Sequence, residues 1–323
     1  MTTQIMYLVL SFVLTAILGK IIIPILKKLK VGQNTRKEGP RAHLKKQGTP
    51  TMGGIMMIIS IIIFVSLYCI LTQEKSDIMP IIAVALTSLG FGIVGFVDDY
   101  KKVVLKNTEG LNPKLKMFGL SIISVIYTVF LIKYAQIGTD IIIPILNYNL
   151  VLPIWLYIPF IIFVMLGSTN AVNLTDGVDG LAGSVSAIMV TAISIIAMKM
   201  GMVSISVFGA IVVGCCAGFL IYNFYRAKVM MGDTGSLLLG GVISSMMIYL
   251  KQPLLLVLIA IIPVVETISV ILQVLYFRKT GKRLLRMSPL HHHFELTGWR
   301  ENKVVAVFSL VTLIASIGAI LIV

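Results

Sequence analysis

Apolar runs about as long as a bilayer-crossing helix alternate along the chain with short polar stretches. A spanning helix needs about 20 mostly apolar residues. Ten runs are read as spans, at 4–26, 52–72, 79–97, 118–137, 152–172, 178–199, 202–224, 235–250, 253–277 and 303–323. Their apolar residues are continuous rather than alternating at period two, so a transmembrane barrel is rejected. The pattern predicts an all-α polytopic membrane protein of ten transmembrane helices, built as one domain over 1–323. Only 140–151, DIIIPILNYNLV, departs from it, with two β-prone runs around Pro144 and Asn147 that predict a hairpin.

Composition agrees. The chain is 58% hydrophobic and 12% charged, against about 45–50% and about 25% in soluble domains. A water-soluble globule, a disordered chain and a collagen-like chain are excluded. The net charge of +14 is explained by topology. Outside the five residues Lys20, Lys75, Lys133, Lys199 and Lys251, 22 of the 27 Lys and Arg lie in alternate loops, about 27–51, 98–117, 173–177, 225–234 and 278–302. Basic residues collect in cytoplasmic loops, so these loops are placed in the cytoplasm and both termini outside. No nucleic-acid partner is needed to account for the charge. Cys69, Cys215 and Cys216 lie in apolar runs and read as small buried side chains. Neither a charged segment before the first run nor a small-residue cleavage site after it marks a removable signal peptide.

The chemistry gathers on the cytoplasmic side. Nine of the 13 acidic residues fall there, although acidic residues contribute little to orientation. Asp98 and Asp99 end the third span, and paired carboxylates at that boundary can hold a divalent cation or share a proton. In NLTDGVDGLAG, 173–183, Asp176 and Asp179 are three apart and would share a face of a helix; capping of the sixth span by Asp176 is the plainer reading. In MGDTGS, 231–236, Asp233 precedes a helix N-terminus, which suits a metal ligand beside a phosphate or a simple cap. In PLHHHFE, 289–295, His291, His292 and His293 suit hydrogen bonds to anionic oxygens, with zinc as the other possibility. The loop GPRAHLKKQGTPTMGG, 39–54, brings His43, Lys45, Lys46, Thr49 and Thr51 beside glycines, an anion-binding inventory. Glu266 alone sits deep in an apolar run, where an ionisable group is a functional suspect. Carboxylates without cysteine suggest Mg²⁺. Lysines, histidines and glycines suggest phosphate. The setting suggests a lipid and a water-soluble substrate meeting at the cytoplasmic face.

The motifs GTPTMGG (48–54), FVDDYKK (96–102), NLTDGVDGLAG, MGDTGS and PLHHHFE, in this order, resemble the phospho-N-acetylmuramoyl-pentapeptide transferase family of the polyprenyl-phosphate N-acetylhexosamine-1-phosphate transferase superfamily. The resemblance runs over almost the whole chain. It implies that undecaprenyl phosphate attacks the sugar-proximal phosphorus of UDP-N-acetylmuramoyl-pentapeptide, releasing UMP and leaving lipid I in the bacterial cytoplasmic membrane. It implies Mg²⁺ at Asp233, with Asp98 as base or nucleophile and Asp99 beside it. Lys102 and Lys114 would hold phosphates or the uridine, and Lys46 and Thr51 would line the same cleft. Asn173, Asp176 and Asp179 would bind nucleotide, and His291, His292 and His293 the phosphates or sugar. A homodimer and a membrane groove for the lipid tail are implied as well. Met230 stands where relatives are expected to carry an aromatic residue. Two rivals are a UDP-N-acetylglucosamine phosphotransferase and, less in keeping with ionisable residues at the membrane edge, a secondary transporter using Glu266.

Overall fold

A computed structural model describes residues 1–29, 48–72, 75–146 except 106–109, and 148–323. The apolar runs become helices in chain order: α1 (Thr2–Lys28), α2 (Gly54–Leu71), α3 (Lys75–Val103), α4 (Pro113–Lys133), α5 (Ile154–Thr175), α6 (Leu181–Lys199), α7 (Val203–Asn223) and α8 (Gly232–Tyr249). A 3₁₀ turn (Pro253–Leu255) and the short α9 (Leu256–Ile259) follow, then α10 (Ile261–Thr280), the short α11 (Leu290–Leu296) and α12 (Glu301–Ile322). Among the described residues nine helices are long and apolar enough to cross a membrane. The chain is thus a multi-pass, all-α membrane protein.

The tenth expected run, 235–250, is helical as α8 but is not in that set. The reason is composition, since Asp233 and the glycines and serines of α8 lower its mean hydropathy, and the position of the helix accounts for them. From Thr234 to Tyr249 every residue of α8 is buried, with α3, α5, α2 and α6 packed around it. A helix enclosed by helices, rather than by lipid, needs small residues for close approach, and α8 carries Gly235, Gly240, Gly241, Ser244 and Ser245. By contrast α1 turns Ile5, Val9, Ile17 and Ile21 outward, each about half exposed, as a lipid-facing helix does. The expected ninth run is broken too. It changes course at Ala260, between Pro253 and Pro263, and Pro263 is tolerated because it stands in the first turn of α10.

The hairpin at 140–151 is present. β1 (Asp140–Ile143) pairs antiparallel with β2 (Tyr148–Val151), Asp140 opposite Val151. It is pinned to the α8–α9 connection, where Ile142 N donates to Lys251 O at 2.8 Å and Lys251 Nζ reaches both Asp140 oxygens at 2.8 Å. Cys215 and Cys216 are buried and all three cysteines are free.

Two glycines set how closely α8 is held. A methyl group on Gly95 of α3 would overlap the Asp233 carbonyl, and one on Gly54 of α2 would overlap the Gly235 backbone. Neither obstacle is a movable side-chain tip. Gly95→Val is therefore expected to destabilise the bundle by about 1–3 kcal/mol, the range of overpacked cores. It should appear as a lowered thermal unfolding midpoint in detergent; an unchanged midpoint would show that α3 and α8 can separate without loss.

Candidate active site

The last turns of α3 and the first turn of α8 meet at one end of the bundle. Asp98 and Asp99 are neighbours on α3, about 100° apart around the helix axis, and they do different work. Asp98, 2% exposed, turns toward the α3–α4 connection. Its Oδ1 accepts from the Leu111 backbone N–H at 2.6 Å. Its Oδ2 accepts from Lys102 Nζ at 2.7 Å and Lys116 Nζ at 3.3 Å. The same two ammonium groups reach Asp233 Oδ2, at 2.9 and 2.8 Å. Asp233 Oδ1 accepts from Asn173 Nδ2 at 2.8 Å, and that amide also donates to Ser236 Oγ at 2.8 Å. Two carboxylates and two ammonium groups therefore form one alternating cluster, with α5 supplying a neutral donor.

Asp99, 4% exposed, turns away from the lysines and faces the start of α8. It accepts from Asp233 N at 3.2 Å, Thr234 N at 2.8 Å and Thr234 Oγ1 at 2.6 Å. The residue before α8 is Met231, which offers no capping side chain. Asp99 thus caps α8 from another helix, a carboxylate among the free N–H groups of a first turn. Among the described residues Asp99 makes its hydrogen bonds to the α8 start that carries Asp233, whereas Asp98 makes its own to the lysines. Loss of a cap costs about 0.5–2 kcal/mol, so Asp99→Ala should lower the unfolding midpoint as well as activity. Activity lost with full stability would return Asp99 to the substrate side.

Thr51 lies against this joint. It is 7% exposed, and a Cβ on Gly232 would meet Thr51 Oγ1 and Asp99 Oδ2, so the positive φ of 73° at Gly232 and its lack of side chain let the three converge. The preceding segment is held in register by Met230 N to Pro50 O at 2.7 Å and Gly53 N to Met230 O at 3.0 Å. Met230 is buried there. Lys46, with His43 and Lys45, lies outside the described residues.

Asp176 and Asp179 are not on a helix. They stand in the turn between α5 and α6, with Asp176 the residue after α5 and Gly180 before α6. Asp176 neighbours the cluster: burial, then the nearby charges of Asp233 and Asp99, push its carboxyl well above the usual carboxylate range, against an opposing hydrogen bond from the Gly232 backbone. Asp179 is buried and accepts from Ala227 N at 3.1 Å, tying the turn to the α7–α8 connection.

Lys114 is exposed at the first turn of α4. Lys116, two positions on and so on the other side of the helix, is the residue in the cluster. Composition hid it but spacing shows it: Lys116 stands one turn ahead of the buried stripe Leu120, Ser124, Tyr127 and Leu131.

The three histidines open α11. His291 is fully buried beside Glu266. His292 Nδ1 lies 2.8 Å from Glu295 Oε2, and His293 Nδ1 accepts from Arg286 N at 3.1 Å. A Cβ on Gly177 would run into the His291 ring, so α11 packs directly on the turn that carries Asp176.

The fold and the cluster define a multi-pass membrane protein of a transferase class: residues 81–251 match the family model described as glycosyl transferase family 4. Named relatives are closer still. The chain is 49% identical to the phospho-N-acetylmuramoyl-pentapeptide-transferase of Clostridium perfringens strain 13 over 96% of this chain and 95% of that protein. It is 45% identical to the enzyme of the same name from Acetivibrio thermocellus, over 96% and 92%, and 46% identical to that of Bacillus subtilis strain 168, over 93% and 92%. The chain belongs to the phospho-N-acetylmuramoyl-pentapeptide-transferase family.

Proposed function

We propose that the chain transfers phospho-N-acetylmuramoyl-pentapeptide from its UDP-linked donor to undecaprenyl phosphate, forming lipid I for peptidoglycan and releasing UMP. The observation that supports this most is the cluster of Asp98, Asp233, Lys102 and Lys116 at one end of the bundle. In this reading that end faces the cytoplasm, α8 counts as a tenth span, both termini lie outside, and the membrane is the bacterial cytoplasmic membrane. An oxygen of the polyprenyl phosphate attacks the sugar-proximal phosphorus, and the bond from that phosphorus to the UMP oxygen breaks. One pyrophosphate linkage replaces another, so the work is positioning and charge neutralisation. Lys102 and Lys116 each carry a proton-rich donor head between two carboxylates, where incoming phosphate oxygens can take their place. Asp98 accepts the proton of the polyprenyl phosphate. Asn173 orients Asp233.

Mg²⁺ fits the donor set. Asp98, Asp233 and Asp176 offer hard oxygen atoms and no sulfur. Such an ion takes one or two carboxylates and completes its shell with substrate phosphates and water. Asp233 is the ligand in this reading, and when bound there the ion neutralises phosphate charge. Calorimetric titration of Mg²⁺ into the purified protein with UMP present should show binding that Asp233→Ala removes; equal binding by both proteins would take Asp233 out of the metal site.

In this reading the acceptor's tail lies along an apolar surface. Between α5 and α10 runs an apolar cavity of about 270 Å³, lined by Phe163, Val164, Gly167, Ile243, Val264 and Ile268 among others. A side chain at Gly167 would project into open space. Gly167→Trp is expected to raise the KM for undecaprenyl phosphate about tenfold, the effect of roughly 1.4 kcal/mol of lost contact, and to leave the KM for the nucleotide-linked donor unchanged. A change in the donor KM instead would move the lipid elsewhere. The reading also takes the protein as a homodimer, which native mass spectrometry from lipid nanodiscs would confirm or replace by a monomer mass. The whole assignment is tested by the product: mass spectrometry should find undecaprenyl-pyrophosphoryl-N-acetylmuramoyl-pentapeptide after incubation with both substrates and Mg²⁺, and its absence with folded protein would refute the assignment.

A further inference from the structure

Glu266 lies within α10 and is 1% exposed. A carboxylate in an apolar helix needs a partner, and it has one in the histidine helix. Its Oε1 accepts from the His291 backbone N–H at 3.2 Å and its Oε2 lies 3.4 Å from the same nitrogen. The His291 ring Nδ1 is 3.1 Å from Oε1. Neither ring nitrogen makes a hydrogen bond among the described residues, neither Nδ1 beside the carboxylate nor, away from it, Nε2. Nε2 is pressed against Gly177, where even a methyl group would overlap it. Gly177 follows Asp176, whose carboxyl feels the charges of Asp233 and Asp99 and the nearby Gly232 backbone. Close packing therefore joins the second turn of α10 to the turn beside the carboxylate cluster, and His291 is its central piece.

We propose that Glu266 and His291 form a buried brace that fixes α11 against the turn at 176–177. Glu266 is then a positioning residue for the transfer reaction, acting through His291, and His291 works by its place in the packing rather than by touching substrate. This rests on the function proposed above. Three features carry it. His291 is 0% exposed, so its ring is not presented to a ligand. Neighbouring residues of a helix point about 100° apart, so holding His291 inward directs His292 and His293 to other sides of α11. His293 Nδ1 is occupied as an acceptor from Arg286 N, which in the neutral ring leaves the proton on Nε2, a donor suited to an anionic oxygen. The buried carboxylate gives this arrangement one register. An apolar residue at 266 would leave the His291 N–H buried without its acceptor.

Full-length Glu266→Ala, Glu266→Gln and Gly177→Ala proteins, purified in detergent, test the brace by two readouts. The first is amide hydrogen exchange over 289–296. It should quicken in Glu266→Ala and Gly177→Ala and stay near the parent rate in Glu266→Gln, which keeps an oxygen for the His291 N–H. The second is UMP release with each substrate varied. Glu266→Ala is expected to lower kcat/KM for the nucleotide-linked donor about 100-fold, as displaced catalytic geometry does. It should leave the KM for undecaprenyl phosphate within about twofold of the parent, with most activity restored in Glu266→Gln. Gly177→Ala should reproduce the donor-selective loss, and it carries the test if Glu266→Ala does not fold. Parent-like exchange in both Glu266→Ala and Gly177→Ala, or equal losses toward both substrates, would overturn the brace. Absence of UMP release from the parent would instead overturn the reaction, and the exchange readout would still judge the brace.

Discussion

Replacing Asp233 with alanine is expected to abolish UMP release while leaving a folded membrane protein. The loss should reach about 1,000-fold, or roughly 4 kcal/mol of transition-state stabilisation. Asp233 is the point where elements of four helices converge: Lys102 from α3, Lys116 from α4, Asn173 from α5 and its own first turn of α8. Its side chain is still 16% exposed, so it is reachable by a ligand. The fold should survive because the turn that carries it is held by Asp99 through the backbone N–H groups of Asp233 and Thr234, which alanine keeps. Rates measured by nucleotide release, with circular dichroism on the same sample, separate the two effects. Turnover within tenfold of the parent would remove Asp233 from the chemistry.

Lys116→Met should lower kcat about 100-fold, whereas Lys114→Met, two positions away, should change it by less than about twofold. The argument is electrostatic. With Lys116 gone, Asp98 and Asp233 share only Lys102, and two carboxylates facing one ammonium repel the incoming phosphates. Removing one preorganised cationic or hydrogen-bonding group from such a site typically costs about 10²–10³ in rate. Lys114 is exposed and its backbone N–H serves only to close the helix start onto Asn112 Oδ1 at 2.9 Å. Steady-state kinetics on the two purified variants decide between the neighbours. Equal losses, or a larger loss in Lys114→Met, would mean that the stripe along α4 has been read on the wrong face.

That pair shows what the chain disclosed and what it withheld. The spans and the hairpin around Pro144 were legible because apolar and β-prone runs are local signals, and Asp-bearing motifs marked Asp98, Asp233 and Asn173, which the structure brings together. Lys114 is what the family resemblance implies, whereas the helical stripe that Lys116 continues points to Lys116. Asp98 and Asp99 look equivalent in sequence, yet one faces lysines and the other caps α8, because which helix packs on each side of α3 is a tertiary fact. Glu266 was visible as an oddity in an apolar run. Its partner was not, since His291 lies 25 positions away and reaches it only through the folding-back of the α10–α11 connection. There, Leu284 N and Leu285 N donate to Gln273 Oε1 at 3.1 and 2.8 Å. Enclosure of α8 could be suspected from its glycines and serines, but not its central place.

The most direct test of the account is UMP release by the purified protein with Mg²⁺ and undecaprenyl phosphate, run in parallel with UDP-N-acetylmuramoyl-pentapeptide and with UDP-N-acetylglucosamine. Release with the first donor and not the second is the predicted result. Release with only the second would keep the membrane phosphotransferase site and contradict its assigned substrate. Release with neither, from protein shown to be folded, would contradict the transfer reaction itself.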